Sequence, residues 1–311
     1  MNDLCVLIPV WRDYRWLVPI MLDHLERYWP EHPPVFLLGL TEEEAQGHPH
    51  FPVSDPARRG NWCWMVGDGV SQASAHFRRA YLIAEEHVPL QRCHGGHLNR
   101  TLPGLMDDLG AVYISLMGWD NRRYASRNPR LGWSRHRLMH LVRPHAPRFH
   151  LHPALWRLDA LQRCCEISQR AEQKGGSAWH FEKTCEKPDA DLPAEWKRGC
   201  YQIAAHALAE GEGWLRRMAV LFERWIFNRL LAPVPWLPDP RWAERYLRLL
   251  AIDNVFCRGP YPMIFSGILQ KGRLNENLSR RLGSTATGRH TLARINDAYS
   301  KNQSAGLTKA C

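Results

Sequence analysis

The chain has 311 residues, is 45% hydrophobic and carries 14 tryptophans, enough to bury one large core or two smaller ones sharing an interface, which excludes disorder for most of it. No stretch approaches the roughly 20 uncharged apolar residues that cross a bilayer. The opening MNDLCVLIPV lacks the parts of a secretion signal, and nine cysteines without a CxxC pair read as reduced thiols rather than a disulfide framework or zinc site, so a cytosolic protein is expected. The net charge of +10, with Arg-rich runs such as RNPRLGWSRHRLMHLVRPHAPR (127–148), suits a polyanion: nucleic acid, anionic lipid headgroups, or the diphosphate of a nucleotide or lipid carrier.

In chain order, Leu4 to Val10 reads as a short strand. WLVPIMLDHLERYW (16–29) reads as a helix, with apolar residues at Leu17, Ile20, Met21, Leu25 and Tyr28, and VFLLGL (35–40) as a second buried strand. Asn61 can cap a helix over about 62–79, which Gly67 and Gly69 weaken. AYLIA (80–84) and AVYISL (111–116) are further buried strands with a helix-like LNRTLPGLMDDLG before the latter. Alternation at this pitch predicts an α/β fold with a mostly parallel sheet and ligands beyond the carboxyl ends of its strands.

After about residue 120 the texture changes. HPALWRLDALQRCCEI (152–167) places Leu155, Leu158, Leu161 and Cys165 at helical spacing, and a second helix is expected over about 201–231. The predicted organisation is an α/β half (1–120), a helix-rich half (121–282) and a flexible polar tail (283–311), the last poor in large apolar residues.

The chemistry centres on YLIAEEHVPL (81–90), where an apolar strand runs into two adjacent carboxylates and an imidazole. Two like charges at a strand end cost energy unless protons or a cation offset them. Glu85, Glu86 and His87 therefore read either as ligands that hold Mg²⁺ or Mn²⁺ against a diphosphate, or as an exposed turn facing water.

The stretch YLIAEEHVPLQRCHGGHLNRTLPGLMDDLGAVYISL resembles the segment of bacterial nucleotide-sugar glycosyltransferases in which an apolar strand ends in an acidic pair, passes through a turn and helix, and returns as a strand. VLIPVWRDYRWLVPIMLDHLERYWPEHPPVFLLG is similar to the same family's opening, FHLHPALWRLDALQRCCE and AWHFEKTCEK to its later blocks, and VFCRGPY (255–261) to its late basic turn. The resemblance implies a fold of GT-A type and transfer of a sugar from a nucleotide diphosphate donor, with 1–120 as the nucleotide-sugar-binding half and 121–282 as the acceptor-binding half. By position it places Pro9, Trp11, Arg12 and Tyr14 near the base, with Asn61 and Trp62 at another edge of that pocket. Glu85 and Glu86 face the diphosphate, with a divalent cation as cofactor held by Glu85, Glu86 and His87. Glu182, flanked by Trp179, His180 and Phe181, becomes the general base, the two aromatics offering stacking faces for a sugar; Arg258 is the candidate counter-charge for the leaving group. The sequence departs from the family in carrying Glu-Glu where Asp is usual and His87 where an aromatic is usual.

The partners implied are a nucleotide-sugar donor and a glycan or lipid-linked acceptor, as in surface-polysaccharide synthesis, with peripheral contact to the anionic inner membrane face left open. GxGxxG after the first strand, GxxxxGK[ST], GxSxG and HExxH are all absent. Two rivals stand beside this reading: a basic nucleic-acid-binding protein, which leaves the acidic pair unexplained, and a scaffold of the same fold that has lost catalysis.

Overall fold

The computed structural model describes residues 3–89, 93, 95–116, 124–127, 138–141, 149, 151, 153–171, 176–185, 187, 190–203, 269–270, 273–274, 282 and 286–304. The first third follows the expected alternation: β1 (Leu4–Pro9), a 3-10 turn (Arg12–Leu17), α1 (Val18–Tyr28), β2 (Val35–Leu38), α2 (Glu42–Ala45), β3 (His50–Phe51), α3 (Trp62–Ser74) and β4 (Arg79–Leu82). Then come α4 (Leu102–Asp108), β5 (Tyr113–Ser115), β6 (Tyr124–Arg127), β7 (Leu138–Leu141), β8 (Ala154–Arg157), α5 (Leu158–Arg170), α6 (Ala178–Cys185), α7 (Ala194–Arg198) and β9 (Cys200–Ile203). A small hairpin, β10 (Leu269–Gln270) and β11 (Arg273–Leu274), and α8 (Ala286–Ser304) follow. None of the described helices is long and apolar enough to cross a membrane.

The main sheet has the order β3-β2-β1-β4-β8-β5-β9-β7-β6. β1, β2, β3 and β4 are mutually parallel, and β5 and β9 are parallel to each other; β8 and β7 run against their neighbours. The expected α/β architecture with a mostly parallel sheet is what forms. β1 explains why: it is apolar throughout, so Leu4, Val6 and Ile8 enter one core while Cys5 and Leu7 enter the other. A strand buried on both faces needs helices on both. α1, α4 and α8 cover the first face, and α3, α5 and α6 the second.

Asn61 caps α3 as expected, its Oδ1 accepting from the Trp64 N–H at 3.1 Å. The glycines thought to weaken this helix let it pack closely. A Cβ at Gly67 would meet Gln169 Nε2 at 2.5 Å, and one at Gly69 would meet Leu38 Cδ2 at 2.5 Å. Asn61→Ala should remove the cap and cost about 1 kcal/mol, measurable as a lower denaturation midpoint with an unchanged m-value; no change would show that α3 is fixed by packing alone.

Three expectations are corrected. Residues 154–157, expected to open a helix, form β8, wedged antiparallel between β4 and β5 with Leu82 opposite Ala154 and Ser115 opposite Ala154 on the other side. Two open strand edges there needed a partner for their backbone groups, and Ala154, Leu155 and Trp156, all buried, suit a central strand. Helical spacing holds only from Leu158 onward. This insertion also makes one sheet continuous across residue 120. Residues 200–203, expected to start a helix, pair with β5 as β9; the rest of that expected helix lies outside the described residues. The tail expected from 283 to 311 carries α8, whose Thr291 and Ile295 are fully buried and whose Leu292, Ala298 and Tyr299 pack on the core. Arg294 pairs with Asp23 of α1, and the Tyr299 ring lies 5.9 Å from that of Trp16. Its apolar residues are few but recur at helical spacing, which suffices when a partner face exists.

Candidate functional site

The strand order reverses at β1. The chain leaves β1 towards β2 and β3 on one side and returns to β4 on the other. In open α/β sheets such a reversal leaves a crevice beyond the carboxyl ends of the strands, where ligands bind. The two strands continue into that crevice with Val10 N–H donating to Leu38 O at 3.0 Å and Ile83 N–H to Leu7 O at 3.0 Å.

The acidic pair sits at this point, but its two members are not equivalent. A tight turn, with His87 N–H donating to Ala84 O at 2.9 Å, sends Glu85 inward and leaves Glu86 half-buried. Glu85 is only 4% exposed, and its Oε1 accepts from the Trp11 N–H at 3.0 Å, joining the end of β4 to the end of β1. Burial, and then the neighbouring Glu86 charge, push its pKa up to about 8, against the pull of the Glu85 and Trp11 N–H groups. At neutral pH Glu85 therefore holds its proton for most of the time. His87 is buried beside it.

This bears on the expected metal. A divalent cation needs ionised carboxylates, so it would have to displace the Glu85 proton. Among the described residues no group of three His, Cys, Asp or Glu side chains is arranged to hold a metal ion. Glu85, Glu86 and His87 are thus not a preformed ligand set.

The other expected residues divide. Pro9 is buried at the end of β1, Trp11 and Tyr14 are half-buried on the turn that follows, and Arg12 lies in the same turn. Asn61 and Trp62 begin α3, but Trp62 is 8% exposed and its ring packs on Phe181 at 5.5 Å, so it serves the core rather than an open base pocket. Phe181 is fully buried as well, which removes it as a stacking face; Trp179, 72% exposed, keeps that capacity. Arg258 lies outside the described residues.

Glu182 lies on α6, half-buried, with Oε1 accepting from the Leu151 N–H at 2.8 Å. Leu151 leads into β8, whose first residue pairs with Leu82, so this contact ties Glu182 to the same sheet edge that carries Glu85. The sequence placed these two glutamates about a hundred residues apart; the antiparallel β8 brings their segments to one edge.

Sequence reading missed a cluster on the β2 side of the crevice. Arg15, Glu44 and Arg59 join there by ion pairs, and Arg59 also donates to the Gly39 carbonyl from Nε at 3.2 Å and Nη2 at 3.1 Å. The signal available was the T-x-x-E of Thr41 and Glu44, a capping box that fixes the carboxylate in place. A groove of about 500 Å³ between α5 and α7 lies at the amino end of the parallel strands, and its Arg163 is paired with Glu166 and Asp191. It is remote from the crevice.

No known protein family matches the sequence, and no curated protein does. Among solved structures the chain is similar to the mannose-1-phosphate geranyltransferase of Thermus thermophilus, at 10% identity and a TM-score of 0.33 over 65% of this chain and 73% of that one. So loose a likeness fixes neither fold nor activity.

Proposed function

We propose that the chain is a nucleotide-sugar transferase that binds a nucleoside diphosphate sugar in the crevice between β1 and β4 and passes the sugar to an acceptor hydroxyl. The observation that carries this reading is Glu85, buried at the point where the strand order reverses and tied to the Trp11 N–H. A carboxyl group kept out of water at a ligand-binding edge, with its proton affinity raised, is a candidate functional position.

In this reading Trp11 and Tyr14 lie against the base, and Glu85, protonated, can donate a hydrogen bond to a donor oxygen while its other oxygen keeps the Trp11 N–H. Glu182 takes the proton of the attacking hydroxyl, because a neutral hydroxyl is a weak nucleophile and a carboxylate within reach removes that barrier. Trp179 offers an apolar face to the acceptor sugar. The departing diphosphate needs cationic groups near the strand ends.

The direct test is a thermal-shift series with UDP-, GDP-, CMP- and dTDP-sugars, with and without Mn²⁺. A ligand at a hundred times its Kd should stabilise the fold by about 2.7 kcal/mol. If no donor raises the midpoint at millimolar concentration, the transferase reading is lost. The paired Mn²⁺ samples report separately whether a cation adds to binding.

A further inference from the structure

We infer that Arg15 and Arg59 form an anion subsite of the phosphate class on the β2 side of the crevice, with Glu44 as the counter-charge that holds both guanidiniums in place. The inference deepens the donor reading, and rests on it only for the identity of the anion. The three side chains come from three connections that all lie at the carboxyl ends of parallel strands: Arg15 from the turn after β1, Glu44 from α2 after β2, and Arg59 from the segment between β3 and α3. Arg15 Nη1 donates to Glu44 Oε1 at 2.6 Å, Arg59 Nη2 donates to Glu44 Oε2, and the Thr41 N–H reaches Oε2 at 3.0 Å. One carboxylate stands against two guanidiniums.

The cluster is neither dry nor dissolved. Side-chain exposures are 38% for Arg15, 24% for Arg59 and 20% for Glu44. Burial raises the proton affinity of Glu44, but the Thr41 N–H and the two guanidiniums outweigh it and hold the carboxyl below its usual range. Glu44 is therefore ionised and stays between the arginines at neutral pH. Long cationic side chains ordered in advance lose little entropy when an anion arrives. The planar fork of a guanidinium matches two phosphate oxygens, which a lysine in the same place does not.

Opposite charge changes in one cluster give the test its signs. Isothermal titration on the full chain uses inorganic pyrophosphate, UDP and GDP against wild type, Arg15→Gln, Arg15→Lys and Glu44→Gln. Glutamine at position 44 can still serve the capping box, so the fold is expected to survive. Arg15→Gln should weaken pyrophosphate about tenfold or more, by loss of a charge-assisted hydrogen bond, and Arg15→Lys should recover only part of it. Glu44→Gln should tighten pyrophosphate, because the loss of the negative charge facing the anion outweighs the looser hold on the two guanidiniums. The subsite is overturned if wild type does not bind pyrophosphate, if Arg15→Gln leaves its affinity unchanged, or if Glu44→Gln weakens it while the thermal midpoint is intact, which would make the cluster a strut. A pyrophosphate pattern with the expected signs, but UDP and GDP no tighter than pyrophosphate, upholds the subsite and counts against the nucleotide donor. Nucleotide binding that ignores both substitutions does the reverse.

Discussion

Glu85→Gln should remove the contribution that Glu85 makes to the pH dependence of stability between about pH 5 and pH 8, and should leave the variant more stable than wild type by a few kcal/mol at the upper end. The folded-state pKa of Glu85 is about 8 against an ordinary value of 4.5. Between those values the folded protein holds a proton that the unfolded chain has released. Stability from this group is therefore fully present below about pH 4.5 and is lost as pH rises towards 8, with a slope of at most about 1.4 kcal/mol per pH unit. Glutamine keeps an acceptor for the Trp11 N–H and cannot ionise. Urea denaturation at pH 5, 6, 7 and 8 reads this directly: the wild-type and variant curves should meet at low pH and diverge as pH rises. Parallel curves would mean that Glu85 is ionised in the folded protein, and the case for a buried neutral carboxyl in the crevice would fail.

The second large effect is on turnover. With the donor from the thermal-shift series in hand, Glu182→Gln is expected to slow sugar transfer by roughly 10² to 10⁴. Glutamine retains an oxygen for the Leu151 N–H, so the segment before β8 stays anchored and the thermal midpoint should hold. Donor affinity should be nearly unchanged, because Glu182 is assigned to the acceptor. Glu186, four residues on, is the control. Normal turnover in Glu182→Gln with loss in Glu186→Gln would move the base to Glu186. Loss of turnover in proportion to lost stability would leave Glu182 as an anchor for Leu151 and nothing more.

These two glutamates show how far the sequence reaches. That an acidic pair ends a buried strand was legible in YLIAEE, because strand burial follows from an unbroken apolar run. Which of the two carboxylates goes inward was not. That depends on the turn at Ala84 to His87 and on a backbone N–H contributed from 74 residues away. The Arg15–Glu44–Arg59 cluster likewise joins residues up to 44 apart, and only its capping box left a local trace. For Trp62 and Phe181, aromatic character was visible and its use was not: the same rings fill a core or face a ligand, and the packing of α3 against α6 decided for the core.

The sequence by itself determined the α/β class, the strands β1, β2, β4 and β5, the helix after Asn61 and the acidic pair at a strand end. Each depends on spacing or capping within one short segment, where backbone hydrogen bonding and side-chain burial are local matters. The tertiary structure alone decided that Ala154 to Arg157 is a strand, that the polar C-terminal segment docks as a helix, and that Glu85 keeps its proton. Open sheet edges, a waiting apolar face and a low dielectric are supplied by distant parts of the chain, and their energies exceed the local preferences they override.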